Sequence, residues 1–116
     1  MDPLKLVDTQ DFQCQPNFVT LNRTCAPVVT LADDPAKFDG AILFIPNADP
    51  GFDWTFSRGI AGLVTMFGGT NSHMAIRAAE LNIPAVIGAG EQYYRQWVEA
   101  SVLELDCQNK VVRCVS

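Results

Sequence analysis

Short, uninterrupted apolar runs alternate with turn-rich polar stretches along this chain, and their spacing predicts its elements. Phe18–Leu21 (FVTL) and Pro27–Leu31 (PVVTL) are β-branched runs of strand length. Ala41–Ile45 (AILFI), Ala61–Thr65 (AGLVT) and Pro84–Gly88 (PAVIG) are apolar at consecutive positions, the pattern of strands covered on both faces. Between the first two of these, Phe52, Phe56 and Ile60 recur at helical spacing, which predicts a short helix with Asp53 as its cap. A second helix is predicted over Ser72–Leu81, capped by Thr70 or Asn71. Asn82 supplies its left-handed stop and Pro84 prevents its continuation. Ala75, Ala78 and Ala79 give that helix a small-residue face suited to lying close on a sheet. A short amphipathic helix through Tyr93 and Trp97 follows. The tail VLELDCQNKVVRCV alternates on both sides of CQNK and predicts a β-hairpin at the sheet edge. This order, a β-rich start, a βαβαβ centre and a terminal hairpin, defines one α/β domain with a mixed β-sheet core. Residues 1–12 show no period and read as a linker or tail, leaving 13–116 as the domain.

Composition narrows the class. With 116 residues, 48% of them apolar and 18% charged, the chain is sized and built for one packed core. The net charge of −5 and the scattered basic residues exclude a nucleic-acid footprint. No leader precedes the first apolar run, and no run reaches bilayer length, so a soluble cytoplasmic protein with no membrane partner is expected. Cys14, Cys25, Cys107 and Cys114 form no C-x-x-C pair, which argues against a zinc knuckle. Buried free thiols are the expectation, and no metal site is expected. The sequon at Asn22–Thr24 is read as chance, since nothing points to secretion.

The chemistry concentrates around His73, the chain's single histidine. Gly68 and Gly69 permit a tight turn and the close approach of another molecule. His73 falls in the first turn of the predicted helix, where unpaired N–H groups and the helix dipole favour an anion. Imidazole is also a competent nucleophile near neutral pH. Arg77, one turn further along the same face, leans back toward His73 and is within reach of a phosphate carried there. Spacing alone leaves two readings open: a nucleophile with its supporting cation, or a surface histidine beside a solvated arginine.

The longer segment VTMFGGTNSHMAIRAAELNIPAVIG resembles the phosphohistidine motif of the phosphoenolpyruvate-utilising enzymes, which include phosphoenolpyruvate synthase and pyruvate phosphate dikinase. The family pattern falls on Thr65, Gly68, Gly69, Ser72, His73, Ala75, Glu80, Leu81, Ile83, Pro84, Ala85, Val86 and Gly88. Upstream, NADPGFDW with Trp54 is similar to the Asp-Pro segment that precedes the motif in synthase-like members. The resemblance implies a swivelling β/β/α phosphohistidine domain, the C-terminal part of a larger ATP-dependent phosphotransferase. His73 is then the catalytic carrier, with Gly68, Gly69, Thr70, Asn71, Ser72 and Arg77 as phosphate loop and support. An ATP-grasp domain of the parent enzyme would charge His73, and a separate acceptor-binding site would discharge it to pyruvate or another small molecule. ATP and magnesium belong to that parent; the chain has no P-loop and no carboxylate cluster for them, so it binds no cofactor itself and is expected to be inert alone.

Three departures mark a divergent member. Ala79 stands where relatives often carry Arg, with a basic residue at Arg77 instead. Asn71 replaces a threonine that a regulatory enzyme phosphorylates in some relatives. The stretch TMFGG is less polar than in synthases. The alternative from another class is a degenerate, non-catalytic interaction module of the same fold, against which the intact Gly68, Gly69, Ser72 and His73 speak.

Overall fold

In the computed structural model, residues 17–115 are described. Their elements run β1 (Asn17–Val19), β2 (Arg23–Thr30), β3 (Ile42–Asn47), β4 (Gly62–Phe67), α1 (His73–Leu81), β5 (Ala85–Ile87), α2 (Glu91–Val98), β6 (Val102–Asp106) and β7 (Val111–Cys114). Two 3-10 helices, Pro35–Lys37 and Pro50–Arg58, flank β3. The expected linker, residues 1–12, lies outside the described residues, as does Cys14.

The seven strands form one mixed sheet in the order β1-β5-β4-β3-β2-β6-β7. Its centre is parallel: Val28–Thr30 of β2 pair with Ile42–Phe44, β3 pairs with β4, and β4 with β5. β1 closes one side antiparallel to β5, and the β6–β7 hairpin closes the other, as the alternation of the tail predicts. β2 changes partner in mid-strand. Arg23–Pro27 pair with β6, and Val28–Thr30 pair with β3. Proline has no N–H to give, so Pro27 suits the point where one ladder hands over to the other.

The continuous apolar runs are explained by two cores, one on each face. Leu43 and Ile45 of β3 join Leu63, Ala85 and Ile87 beneath α1 and the second 3-10 helix. The alternate residues Ile42 and Phe44 join Val64, Val86, Tyr93, Trp97, Leu103 and Leu105 on the α2 side. Successive strand residues point to opposite faces, so a strand covered on both must be apolar at every position.

Several expectations change. β1 stops at Val19 because Thr20 takes φ +74°, so FVTL is only partly strand. β2 starts four residues before Pro27, where exposed and covered residues alternate. The helix predicted from Phe52, Phe56 and Ile60 is a 3-10 helix whose cap is Asp49; its carboxylate accepts the Gly51 N–H at 2.8 Å. Asp53 therefore does not cap it. On α1 the covered face is Met74, Ala75 and Ala78, while Ala79 is exposed. Ala75 and Ala78 differ by three positions and share the sheet-facing stripe with Met74, whereas Ala79 turns away from it. Of the described cysteines, Cys107 alone is buried; Cys25 is exposed and Cys114 is intermediate.

Candidate functional site

The candidate site gathers at the carboxyl ends of β3, β4 and β5, where open parallel sheets collect their ligand-binding loops. Ala48 N–H donates to Phe67 O at 3.2 Å, and Ala89 N–H and Gly90 N–H donate to the carbonyls of Thr65 and Met66. Thr65, fully buried, clamps the junction with its hydroxyl, which donates to Phe67 O at 3.0 Å and accepts the Gly88 N–H at 2.9 Å. The loop that leaves β4 is thus held at its root, while the stretch from Phe67 to Asn71 is exposed.

Its two glycines do different work. Gly68 has φ +132°, and a Cβ there would stand 2.6 Å from Ala48 Cβ and 3.2 Å from Ile87 Cγ2. Only glycine fits this turn. Gly69 has no atom within 4 Å of the place its Cβ would occupy, and its φ is not positive. The Gly69 carbonyl accepts from Ser72 N–H at 3.0 Å, turning the chain into α1.

Ser72 is the N-cap, its hydroxyl accepting the Ala75 N–H at 3.3 Å. The cap expected at Thr70 or Asn71 lies one to two residues too early. Both of those are exposed loop residues, and neither bonds the His73 ring among the described residues. A Ser72 cap puts His73 at the first helical position, its side chain 40% exposed. Asn82 ends α1 in the left-handed conformation, as expected.

The structure supplies a partner that spacing did not show. His73 Nε2 lies 2.8 Å from Asp53 Oδ1, and Arg77 Nε donates to the same oxygen at 3.0 Å. Since a carboxylate only accepts, the proton of that first contact sits on Nε2. Arg77 also donates through Nη1 to Glu80 at 3.1 Å and lies over the Phe56 ring, 6.0 Å from its centroid. The His73 hydrogen bond first, and the Arg77 one second, hold the Asp53 carboxyl below the usual carboxylate range. The same carboxylate, with Glu80 second, raises Arg77 above its ordinary value. A carboxylate depressed in this way keeps the triad assembled above its ordinary pKa and releases it as pH falls through the lowered value. Asp53 is brought here by the second 3-10 helix, which packs directly on α1. Next to it, Trp54 stacks on Phe38 at 6.1 Å and lies under the Arg58 guanidinium at 5.9 Å.

Of the residues expected at the site, Ser72 caps the helix that His73 opens, Arg77 meets His73 through Asp53, and Gly68 and Gly69 shape the turn before the helix, while Thr70 and Asn71 are exposed loop residues. Among the described residues, no group of three or more His, Cys, Asp or Glu could hold a metal ion. No helix among them is long and apolar enough to cross a membrane.

A mixed α/β sheet with a histidine at the start of a crossover helix, behind a Gly-Gly turn, is the class this geometry defines. The chain belongs to the family of the PEP-utilising enzyme mobile domain, whose model matches residues 37–110. No curated protein matches the chain. Among solved structures, it is similar to the solution NMR structure of a UPF0107 protein, with a TM-score of 0.63 and 13% identity over 90% of this chain and 98% of that one. At that identity the likeness is one of fold.

Proposed function

We propose that this domain is the phosphoryl carrier of an ATP-dependent phosphotransferase, with His73 as the nucleophile. The single observation that carries the reading is the placement of His73 within the matched family segment: first residue of α1, capped by Ser72, 40% exposed, behind an exposed Gly-Gly loop. In the loading step an imidazole nitrogen attacks phosphorus of a phosphoryl or pyrophosphoryl group derived from ATP. An N–P bond forms, a P–O bond breaks with its electrons going to the leaving oxygen, and the ring proton is released. In the discharge step an acceptor such as pyruvate takes the phosphoryl group and the imidazole leaves. An ATP-grasp module of the parent enzyme would hold ATP and magnesium, and a second site would hold the acceptor.

This chain's contribution is positional. Gly68 and Thr65 fix the root of the loop, Ser72 fixes the start of the helix, and the free N–H groups there favour an incoming anion. Positioning supplies most of what phosphoryl transfer needs from a protein. The test is labelling with γ- and β-labelled ATP in the presence of the parent nucleotide-binding module. Acid-labile, base-stable label is expected on His73 of the wild type and none on His73→Ala. Equal labelling of the two would refute the reading.

A further inference from the structure

Resting on the carrier reading, we propose that Asp53 is a positioning residue that occupies the phosphoryl place while the carrier is empty and yields it on loading. Its oxygen Oδ1 lies between two donors, His73 Nε2 at 2.8 Å and Arg77 Nε at 3.0 Å. An anionic oxygen held between an imidazole nitrogen and a guanidinium is the arrangement a phosphoryl oxygen on Nε2 would take up. The carboxylate is thus a resident stand-in for the phosphate, drawn from a segment 20 residues away in the chain.

The two anions exclude each other. A phosphoryl group on Nε2 replaces the proton that bonds Asp53, and its charge of about −2 would face the carboxylate at contact distance. Loading therefore breaks the Asp53 contact and leaves Arg77 to turn from Asp53 to the phosphoryl oxygens. Attachment at the ring's other nitrogen, Nδ1, would leave the Asp53 bond in place and place the charge away from Arg77. Loading at Nε2 therefore requires the ring first to leave Asp53 and hold its proton on Nδ1, since the Asp53-bonded tautomer has its lone pair on Nδ1. The depressed carboxyl of Asp53 agrees with a group that stays charged, and so repels an incoming anion, at any pH where the domain works.

The experiment uses phosphoramidate as donor, so that no partner module is needed. The ring first leaves Asp53 and carries its proton on Nδ1; the Nε2 lone pair then attacks phosphorus, the P–N bond of the donor breaks, and ammonia departs, taking up the Nδ1 proton as ammonium. Asp53→Asn keeps an acceptor for the ring and removes the charge; at a separation near 4 Å in water that charge is worth about fivefold in rate. Asp53→Asn is expected to load about fivefold faster than wild type at low salt, with the advantage shrinking as salt rises. In the wild type alone, long-range 1H–15N spectra are expected to show Nε2–H before loading and phosphorus on Nε2 after it. The Asp53 carboxyl 13C signal should shift on loading. Arg77→Gln is expected to shorten the lifetime of the loaded state. Equal loading of Asp53→Asn and wild type, phosphate on Nδ1, or an unmoved Asp53 signal would each overturn the proposal. None of these results depends on labelling by ATP, so the carrier reading stands or falls separately.

Discussion

Gly68 and Gly69 are neighbours in sequence and indistinguishable in the motif, yet the structure assigns them opposite sensitivities. In Gly68→Ala the new side chain must adopt φ near +132° and enter a space whose nearest atom, Ala48 Cβ, is 2.6 Å away. The backbone term is about 1–3 kcal/mol for a non-glycine residue in so sparsely populated a region. Displacing Ala48 and Ile87 adds about 1–3 kcal/mol, because both are packed into the core beneath α1. Together the substitution costs about 2–6 kcal/mol, a large part of the stability of a domain this size. Gly69→Ala meets nothing within 4 Å at a backbone any residue adopts, so its cost is below about 0.5 kcal/mol. Urea unfolding followed by circular dichroism or tryptophan fluorescence separates the two. With a mid-range slope of about 2 kcal/mol per molar, Gly68→Ala moves the midpoint down by about 1–3 M and Gly69→Ala moves it negligibly. A Gly68→Ala midpoint within error of wild type, or a Gly69→Ala shift as large as that of Gly68→Ala, would refute the division of labour. If Gly69 is not needed by the fold, its missing side chain serves whatever approaches His73. Gly69→Ala should therefore impair loading by the parent module while leaving unfolding unchanged.

Two further outcomes concern buried groups. Thr65→Val keeps the shape of a fully buried side chain but deletes a hydroxyl bonded to Phe67 O and to the Gly88 N–H; chemical denaturation should show a loss of about 1–3 kcal/mol, and a neutral result would mean the clamp is not formed. Burial pushes the Cys107 thiol up from 9.0 to about 11, so the native state keeps a proton that the unfolded chain loses; the stabilisation is complete below pH 9 and falls by about 2–3 kcal/mol as pH rises to 11, and Cys107→Ala should flatten that alkaline decline in denaturation curves taken across the range.

The central strands were legible because burial on both faces leaves a simple mark, apolar residues at consecutive positions, and nothing in the long-range structure contradicts it. The end of α1 was legible for a local reason, since Asn82 followed by Pro84 leaves the chain no helical continuation. Errors arose where two local signals competed. Thr70, Asn71 and Ser72 are all good caps, and the choice of Ser72 follows from the turn closed by Gly69 O and Ser72 N–H, which spacing does not display. Likewise Asp49 and Asp53 both suit a helix start, and Pro50 at the first position favours Asp49. Asp53, not needed as a cap, bonds His73 and Arg77 instead. Its contact with His73 spans 20 residues and depends on how the 3-10 helix lies on α1, a packing outcome with no periodic trace. The one sequence signal for it is the resemblance of NADPGFDW to the segment preceding the motif, in which Asp53 is the neighbour of Trp54.

The charge balance around His73 bears on how the proposed carrier would let its cargo go. A phosphoryl group that must leave for a second site gains nothing from a deep electrostatic well, because tight binding of the loaded state raises the barrier to discharge. Arg77 is the cation bonded into the His73 cluster, and it is already shared between Asp53 and Glu80. Those three charges sum to −1 before any phosphate arrives. The loaded domain would thus hold its dianion by a covalent bond, one guanidinium with competing carboxylates, and the N–H groups at the start of α1. In that reading Asp53 would also offer the vacated imidazole an immediate partner when the phosphoryl group departs. An arrangement that holds phosphate only weakly when loaded and is satisfied when empty would suit the proposed carrier better than an enzyme that must stabilise a transition state on its own.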